Sequence, residues 1–238
     1  MRIPLDRRAS LKDVIESLGI PHPEIGSVRV DGRPAHLAEL ARDGTSLEVR
    51  GHDRPIRLRI GGADGAGDGA PGSFLLDVHL GKLARLLRLL GVDTSYSNDC
   101  PDERLARLAE AENRILLTRD RALLKRGSIR HGLLVRSNHP GTQVREVLAR
   151  FDLTEVARPW SRCLRCNAAL ESVEASEVWD RLEPRTKLYY RRFRRCSGCS
   201  RIYWEGSHFQ RLREELSSTG LVDTVSRPSA EGDLPARP

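Results

Sequence analysis

Two aspartates stand where predicted strands end, and carboxylates in that position can hold a metal ion. Asp77 follows the apolar run at 74–76, and Asp120 closely follows the apolar run at 115–117. Strands that alternate with helices form parallel sheets, whose ligand sites lie beyond the carboxyl ends of the strands. Clustered carboxylates repel one another unless a cation neutralises them, and oxygen-only ligands favour Mg²⁺ or Mn²⁺. The alternative is that each aspartate only caps the helix or turn behind it.

Other residues with oxygen ligands follow neighbouring segments of this predicted sheet. Asp102 is a candidate third carboxylate, and Glu103 beside it is the rival candidate. Asn138, after a third strand, could be a neutral ligand, orient a water molecule or occupy a plain turn. Part of the acidity is expected helix-start chemistry, with Asp99 as the N-cap and Pro101 in the first turn.

Four of the five cysteines form two CxxC pairs. The first pair is Cys163 and Cys166, and after 29 residues the second is Cys196 and Cys199. Two such pairs supply the four thiolates of a tetrahedral Zn²⁺ site, and protein ligands at all four positions make the zinc structural. The metal would also make a segment with a small core foldable. The fifth cysteine, Cys100, has no partner at ligand spacing.

The segment that carries the two aspartates alternates predicted strands with predicted helices. The helix after Asp77 has apolar residues at Leu80, Leu83 and Leu87, which is a helical spacing. Its opposite face is predicted to be basic, with side chains from Lys82, Arg85 and Arg88. This pattern predicts a mixed α/β fold with a parallel sheet.

The first 60 residues form a predicted unit of their own. Ser10 precedes an amphipathic helix that ends at Gly19, and short strands are expected at 27–30 and 46–49. Glycine-rich residues 61–73 are predicted to be a flexible linker, and residues 217–238 a disordered tail.

The charge of the chain points to a polyanionic partner. The formal net charge is +7, and the basic surplus falls in the central and cysteine-containing segments. Residues 181–195 interleave Tyr189, Tyr190 and Phe193 with basic side chains. Guanidinium groups for phosphates and rings for exposed bases suit single-stranded RNA. The candidate RNA contacts are Arg191, Arg192, Arg194 and Arg195. The alternative is that the rings form a small core and the arginines are only solvated.

The sequence offers no route into a membrane. No apolar run reaches the roughly 20 residues that span a bilayer, and the N-terminus lacks the apolar stretch of a signal peptide. CxxC pairs in a reducing compartment suggest metal binding more than disulfides. We therefore expect a cytoplasmic protein that has no membrane partner.

Several motifs together resemble a known family. The stretches FLLDVHLGKLARLLRLLGVDT, ILLTRD, RCLRCNAAL and RCSGCSRIYWEGSH look like the Mut-seven C-terminal family of PIN-like ribonuclease domains with a zinc ribbon. SLKDVIESLGIPHPEIGSVRVDGRPA resembles the companion ubiquitin-like β-grasp domain of the sulfur-carrier type. The resemblance implies a ubiquitin-like domain at 1–60, a PIN-like nuclease domain at 74–158 and a zinc ribbon at 159–216.

The resemblance also implies an activity. It suggests a metal-dependent RNase whose acids match Asp77, Asp120 and Asp102, and it places Lys82 and Arg85 in the LGKLAR motif as phosphate contacts. Arg119, beside Asp120, is a further candidate substrate contact. Asn138 stands where PIN-type sites often place a fourth acid. We therefore expect hydrolysis of RNA phosphodiester bonds at a Mg²⁺ or Mn²⁺ site.

Two other functions differ in class from a nuclease. In a non-catalytic RNA-binding adaptor, the basic ribbon would bind RNA while the acids only cap helices. Sulfur carriage by the N-terminal unit is disfavoured, because Gly61 and Gly62 lie inside the chain while a carrier needs this pair at a free C-terminus.

Overall fold

The computed structural model describes residues 8–59, 70–207, 209–211 and 214. Most of the predicted linker and the whole predicted tail lie outside these residues. At the end of the predicted linker, Ala70–Pro71 and Ser73–Leu76 are strands. No helix in the described part of the chain combines the length and apolar character needed to cross a bilayer.

The N-terminal unit is one helix packed on a three-stranded antiparallel sheet. Ser10 caps the helix as predicted, and its capping box with Asp13 satisfies backbone N–H groups of the first turn. Gly19 follows the helix with a φ of +90°. The sheet order is β2-β1-β3. The elements within residues 8–59 are α1 (Leu11–Ser17), a 3-10 helix (His22–Glu24), β1 (Ser27–Val30), β2 (Arg33–Pro34), β3 (Leu47–Arg50) and, outside this sheet, β4 (Ile56–Arg59).

The central domain is built around a parallel four-stranded sheet of order β7-β6-β8-β9. Its elements are β5 (Ala70–Pro71), β6 (Ser73–Leu76), a 3-10 helix (Val78–Leu80), α2 (Gly81–Leu89), β7 (Asp93–Tyr96), α3 (Asp102–Ala111), β8 (Ile115–Thr118), α4 (Arg121–Leu124), β9 (Gly132–Leu134), α5 (Pro140–Arg150) and β10 (Phe151–Asp152). The alternation of strands and helices confirms the predicted α/β class.

Both faces of this sheet are covered, which explains the continuous apolar runs at 74–76 and 115–117 in its central strands. Phe74 and Leu76 pack into the larger core cluster with residues of α2 and α5. Leu75 faces the other way and packs in a second cluster with residues of α3 and α4. Leu116 of β8 also lies in this second cluster, so the side chains of β6 and β8 alternate between the two faces of the sheet in the same register.

Strand β4 belongs with the central domain and not with the ubiquitin-like sheet. It pairs in parallel with β10 at Ile56 and Phe151, and on its other side with β5 at Leu58 and Ala70. Leu58 is fully buried in the large central cluster. The boundary predicted at residue 60 therefore cuts off a strand that completes the central domain, because its apolar side chains pack there.

The C-terminal region is a three-stranded antiparallel sheet of order β11-β12-β13 with short helices beside it. Its elements are β11 (Leu170–Val173), α6 (Ala175–Val178), a 3-10 helix (Trp179–Arg181), α7 (Pro184–Tyr189), β12 (Phe193–Cys196) and β13 (Ile202–Tyr203). Two small apolar clusters hold this region together, one of them around Cys163 and Cys196. This architecture is compatible with the predicted zinc ribbon.

Arg88 ties the C-terminal four-cysteine region to the central domain. The sequence predicted this side chain on an exposed basic face, but it is 4% exposed. Its guanidinium donates to the carbonyl of Thr94 at 2.9 Å and to those of Leu164 and Arg165 at 3.2 and 2.8 Å. The prediction was wrong for Arg88 because the C-terminal region covers this end of α2 and offers carbonyl acceptors there.

The ubiquitin-like unit covers the opposite edge of the central sheet. The carboxylate of Glu24 accepts the Leu134 N–H at 3.0 Å and pairs with Arg136 at 2.6 Å. The His22 ring contacts the carbonyl of Ile129 at 2.7 Å. Polar contacts thus satisfy part of the edge strand β9, which would otherwise expose unpaired backbone groups.

Gly91 connects α2 to β7 in a conformation that side chains disfavour. Its φ is +75°, and a Cβ atom there would lie 1.6 Å from the carbonyl oxygen of Arg158. The Gly91 N–H donates to the Arg88 carbonyl at 2.9 Å, and the Val92 N–H donates to Leu87 at 3.0 Å, which is a Schellman motif. The glycine therefore ends the helix and allows the backbone at Arg158 to pass close to it.

We expect Gly91→Ala to lower the free energy of unfolding by about 3 kcal/mol or more, because a backbone clash adds to left-handed strain. Gly44→Ala is the matched control, since Gly44 has a φ of +76° with open space around its Cβ position. Only the strain, about 1–2 kcal/mol, applies there. Denaturant titration of both variants measures the difference, and equal losses would contradict the close approach at Gly91.

Candidate functional site

Asp77 is held rigidly at the carboxyl end of β6. Its side chain is 4% exposed. Oδ1 accepts the N–H of His79 at 2.8 Å, so this aspartate does cap the 3-10 helix behind it. Oδ2 accepts the hydroxyl of Thr118 and the N–H of Arg119, the latter at 2.8 Å. These three hydrogen bonds fix the orientation of the carboxylate.

Asp120 is connected to Asp77 by hydrogen bonds to the same threonine, Thr118. The Thr118 hydroxyl oxygen accepts the Asp120 N–H at 2.8 Å while it donates to Asp77. Asp120 Oδ1 caps α4 by accepting from Ala122 at 2.7 Å and from Leu123 at 3.4 Å. Oδ2 accepts no hydrogen bond from any residue that the structure describes. Capping therefore uses one oxygen of this exposed carboxylate and leaves the other available.

Thr118 is the residue of this site that sequence reasoning missed. It is fully buried at the end of β8, and its hydroxyl connects the two aspartates. A polar residue that ends an otherwise apolar buried strand was the available signal. Its neighbour Arg119 is exposed, with its N–H on Asp77.

The remaining predicted acids do not join a compact cluster with this pair. Asp102 is the exposed first residue of α3, and Glu103 beside it pairs with Arg107 at 3.6 Å. In the described part of the chain, only the four cysteines form a group of three or more candidate ligands whose ligating atoms lie within 4.8 Å of one another. Asn138 is exposed just before α5. The predicted cap at Asp99 was also wrong, because Pro101 occupies the N-cap position.

The donor set at Asp77 and Asp120 fits a hard divalent ion held in an open site. Mg²⁺ in proteins is usually bound by one or two carboxylates, and water and substrate phosphates complete its octahedron. Asp120 offers a carboxylate oxygen that accepts no hydrogen bond from the described residues, and Asp77 offers remaining lone pairs on a fixed carboxylate. Residues brought together here do not fit a closed all-protein cage.

Basic side chains lie close in sequence to this pair. Lys82 and Arg85 are exposed on the first turns of α2, the helix that begins four residues after Asp77. Two of the three basic residues predicted for one face of α2 are thus on the surface. They can contact phosphates that approach the site.

The four cysteines converge as predicted. The sulfur atoms of Cys163 and Cys199 are 3.6 Å apart, and those of Cys166 and Cys196 are 3.4 Å apart. Four thiolates around one Zn²⁺, with Zn–S of about 2.3 Å, would lie about 3.8 Å apart. The separations fit a Cys₄ zinc site.

The two CxxC turns have the same backbone geometry. Asn167 and Ser200, which directly follow the second cysteine of each pair, have φ of +68° and +54°. Their N–H groups each donate at 3.0 Å to the carbonyl of the first cysteine of the pair. The N–H groups of Gly198 and Cys199 also point at Cys196 Sγ, both at 3.3 Å. This repeated turn is suited to holding thiolates.

The thiols of this cluster differ in acidity. Burial raises the pKa of the Cys163 thiol, but hydrogen bonds from the Tyr203 hydroxyl and from backbone N–H groups outweigh burial and lower the pKa to about 6. Burial is also the main cause that raises the pKa of Cys166, to about 12. A zinc ion that bound here would therefore have to displace protons from this cluster.

The predicted RNA-binding stretch is only partly on the surface. Phe193 is 2% exposed in an apolar cluster, so the alternative of a small core is correct for this ring. Tyr190 packs near the ring of Trp204, with centroids 6.4 Å apart. Tyr189 is 69% exposed, and sequence reasoning missed the exposed Trp179, over which Lys187 lies at 5.2 Å.

The four arginines of this stretch have different surroundings. Arg194 donates to the Trp160 carbonyl at 2.8 Å, and Arg195 pairs with Glu177 at 3.6 Å. Arg191 donates to the Lys187 carbonyl at 2.7 Å. Arg192 is exposed and has no hydrogen bond or ion pair with the residues that the structure describes. It is therefore the most available of the four for a ligand.

Comparison with known families agrees with this architecture. The model of the Mut7-C RNAse domain matches residues 72–216, and that of the Mut7-C ubiquitin domain matches residues 1–57. No curated protein and no solved structure matches this chain. The predicted resemblance and the predicted order of domains are confirmed. Because the first match spans more than half of the 238 residues, the chain belongs to the Mut7-C RNAse domain family.

Proposed function

We propose that this protein is a metal-dependent ribonuclease that hydrolyses RNA phosphodiester bonds at Asp77 and Asp120. Family membership suggests ribonuclease activity. The observation that carries the proposal is the pair of carboxylates joined through Thr118 at the carboxyl ends of β6 and β8. Ligand sites of parallel sheets lie at this end of the strands.

In this proposal Asp77 and Asp120 hold one or two Mg²⁺ or Mn²⁺ ions. The ion would supply an acidified water molecule and neutralise charge on the scissile phosphate. Asp77 keeps its carboxylate oriented through its three hydrogen bonds. Asp120 presents its uncapped oxygen. Asp102 and Asn138 stay predicted contributors, which could act through bound water from their exposed positions.

The chain's cations would position the substrate. Lys82 and Arg85 are exposed on α2, which begins four residues after Asp77, and they would bind the RNA backbone. Arg119 is exposed and directly precedes Asp120 in the chain. Positive side chains aimed at a transferring phosphoryl group also stabilise the charge that develops on it. No protein nucleophile is required.

A direct test incubates the full-length protein with labelled single-stranded RNA in Mn²⁺, in Mg²⁺ and in EDTA. The nuclease proposal expects cleavage with either ion and none in EDTA. One observation favours the RNA-binding adaptor as the second candidate, because both aspartates do cap the segments behind them. Binding without cleavage in all three conditions would favour the adaptor.

The zinc ribbon is proposed to aid RNA binding through its exposed cations. We expect Arg192→Ala to weaken binding of single-stranded RNA and to reduce the slope of log K against log salt by about 0.7, since one phosphate contact is lost. Arg194→Ala should instead lower stability, because its guanidinium donates to the Trp160 carbonyl.

Fluorescence anisotropy over a salt series measures these slopes. The matched control is Arg29→Ala, which removes an exposed arginine from β1 of the ubiquitin-like unit. An Arg192→Ala slope equal to that of the wild type would show that Arg192 is only solvated and does not contact an RNA phosphate. We also propose a cytoplasmic location, which the CxxC pairs support through their need for a reducing compartment.

A further inference from the structure

A pocket lies where the ubiquitin-like unit meets the central domain. Its volume is about 290 Å³. Its walls come from the 3-10 helix of the ubiquitin-like unit, from β4 and β5, and from the segments that begin β9 and end α5. Its polar lining residues are all basic or imidazole side chains, namely His22, His52, Arg130, His131 and Arg150. No aspartate or glutamate is among the described residues that line it.

Arg150 gives this pocket a donor without an acceptor. Its Nη2 donates to the Pro23 carbonyl at 2.6 Å, which fixes the guanidinium across the junction of the two units. Its Nη1 is the only buried side-chain nitrogen or oxygen in the described part of the chain that has no hydrogen bond. Native structures rarely leave a buried donor unpaired, so an unpaired donor indicates a position where a ligand or a water molecule can bind.

The groups around Arg150 do not supply the missing acceptor. The His22 ring is already engaged, with Nδ1 at 2.7 Å from Glu16 and Nε2 at 2.7 Å from the Ile129 carbonyl. Glu24 attracts Arg150 electrostatically, but its carboxylate is bonded to Arg136 and to a backbone N–H. One N–H of the guanidinium is therefore left without an acceptor among the described residues, while the group itself lies over the Phe151 ring at 5.6 Å.

The two other histidines are suited to neutral hydrogen bonding. Burial lowers the pKa of His52 and of His131, and the positive charge of Arg150 adds to the effect in both. Neutral imidazole has one donor and one acceptor nitrogen. The guanidinium groups of Arg130 and Arg150 supply permanent positive charge to the pocket.

We infer that this pocket binds a phosphate group carried by a small ligand, either a free mononucleotide or the terminal nucleotide of an RNA. Planar guanidinium forks match the oxygen atoms of phosphate, and two arginines with two imidazoles give donors on several sides. The rest of the lining is apolar, from Ile25 and Ile56 among others, which offers a surface for a base. The volume is close to the lower limit of about 300 Å³ for ligand pockets, so the ligand is small.

The pocket is separate from the aspartate pair. His131 and Gly132 stand at the start of β9, so the pocket lies at the amino end of the parallel sheet. Asp77 and Asp120 follow the carboxyl ends of β6 and β8. The inference therefore goes beyond the proposed nuclease function and does not depend on it.

Calorimetric titration of the full-length protein in EDTA tests the inference without any cleavage. The probes are inorganic phosphate, adenosine 5′-monophosphate, and one short RNA prepared with and without a 5′-phosphate. We expect binding of the mononucleotide or a preference for the phosphorylated RNA. The probe that binds more tightly identifies whether the phosphate comes from a free mononucleotide or from an RNA end. Arg150→Gln should weaken that binding at least 10-fold.

The matched control is Arg145→Gln, which removes an exposed arginine from the same helix and should bind as the wild type does. Because Arg150→Gln also loses its bond to Pro23, the exposed Arg130→Gln is a second variant that leaves that bond in place and should also bind more weakly. The inference is overturned if the wild type binds none of the phosphate probes. It is equally overturned if Arg130→Gln and Arg145→Gln both bind like the wild type.

Discussion

Asp120→Asn should lower the rate of RNA cleavage at least about 100-fold and leave the protein folded. Changes to residues that only orient metal ligands already cost about 10–100-fold, so the loss of a proposed ligand charge should cost more. The asparagine oxygen can still accept from the Ala122 and Leu123 N–H groups, because asparagine caps helices about as well as aspartate does. The free energy of unfolding should therefore change by less than about 0.5 kcal/mol.

The measurements are cleavage of labelled RNA in Mn²⁺ and denaturant unfolding of the same preparation. Asp152→Asn is a matched control, since Asp152 Oδ1 likewise accepts an N–H two residues ahead, that of Thr154 at 3.0 Å. It lies in β10, outside the four-stranded sheet that carries the site. Cleavage by Asp120→Asn at the wild-type rate would leave capping as the whole role of this aspartate and would favour the adaptor.

Asp77→Asn is a less clean test of the same site. The Asp77 carboxylate accepts from three donors through both of its oxygens. An asparagine there would place its NH₂ group against an N–H or hydroxyl donor, and a buried unsatisfied donor costs about 1–3 kcal/mol. Loss of cleavage by this variant would mix a chemical effect with a structural one.

The positions of the two aspartates were predictable because the signals are local. The apolar runs at 74–76 and 115–117 lie in strands that are covered on both faces. Such strands can be recognised in a sequence because their residues are continuously apolar. Each aspartate then follows a strand end by chain connectivity alone. The CxxC pairs are equally local, and their convergence follows from the geometry of thiolate ligands.

The features that sequence could not predict depend on residues far apart in the chain. Arg88 has the spacing of a solvent-facing residue, and only the arrival of the Leu164 and Arg165 carbonyls makes it a buried one. Similarly, β4 has the alternation of a surface strand, and its place beside β10 depends on a segment about 95 residues later. A hydrophobic pattern shows that a face is buried but does not show which partner buries it.

Cys196→Ser should abolish zinc binding and unfold the zinc ribbon. A structural zinc site contributes about 10–16 kcal/mol of apparent binding free energy in zinc-finger peptides, and a small segment with little core depends on it. Cys196 is buried, and its sulfur accepts the N–H groups of Gly198 and Cys199. Elemental analysis should give about one zinc per wild-type chain and none for the variant.

The loss of the ribbon should also weaken the central domain, through Arg88. Unfolding of the first CxxC turn removes the Leu164 and Arg165 carbonyls, so part of a guanidinium at the end of α2 loses its acceptors. Hydrogen exchange in β6 and β8 should therefore become faster in Cys196→Ser, by an amount that corresponds to about 1–3 kcal/mol. The matched control is Cys100→Ser, which changes a buried cysteine outside the zinc cluster and should keep the metal. Zinc retained by Cys196→Ser, or absent from wild-type protein prepared without chelators, would contradict the Cys₄ site. Unchanged hydrogen exchange in the central strands would show instead that Arg88 finds other acceptors once the ribbon has unfolded.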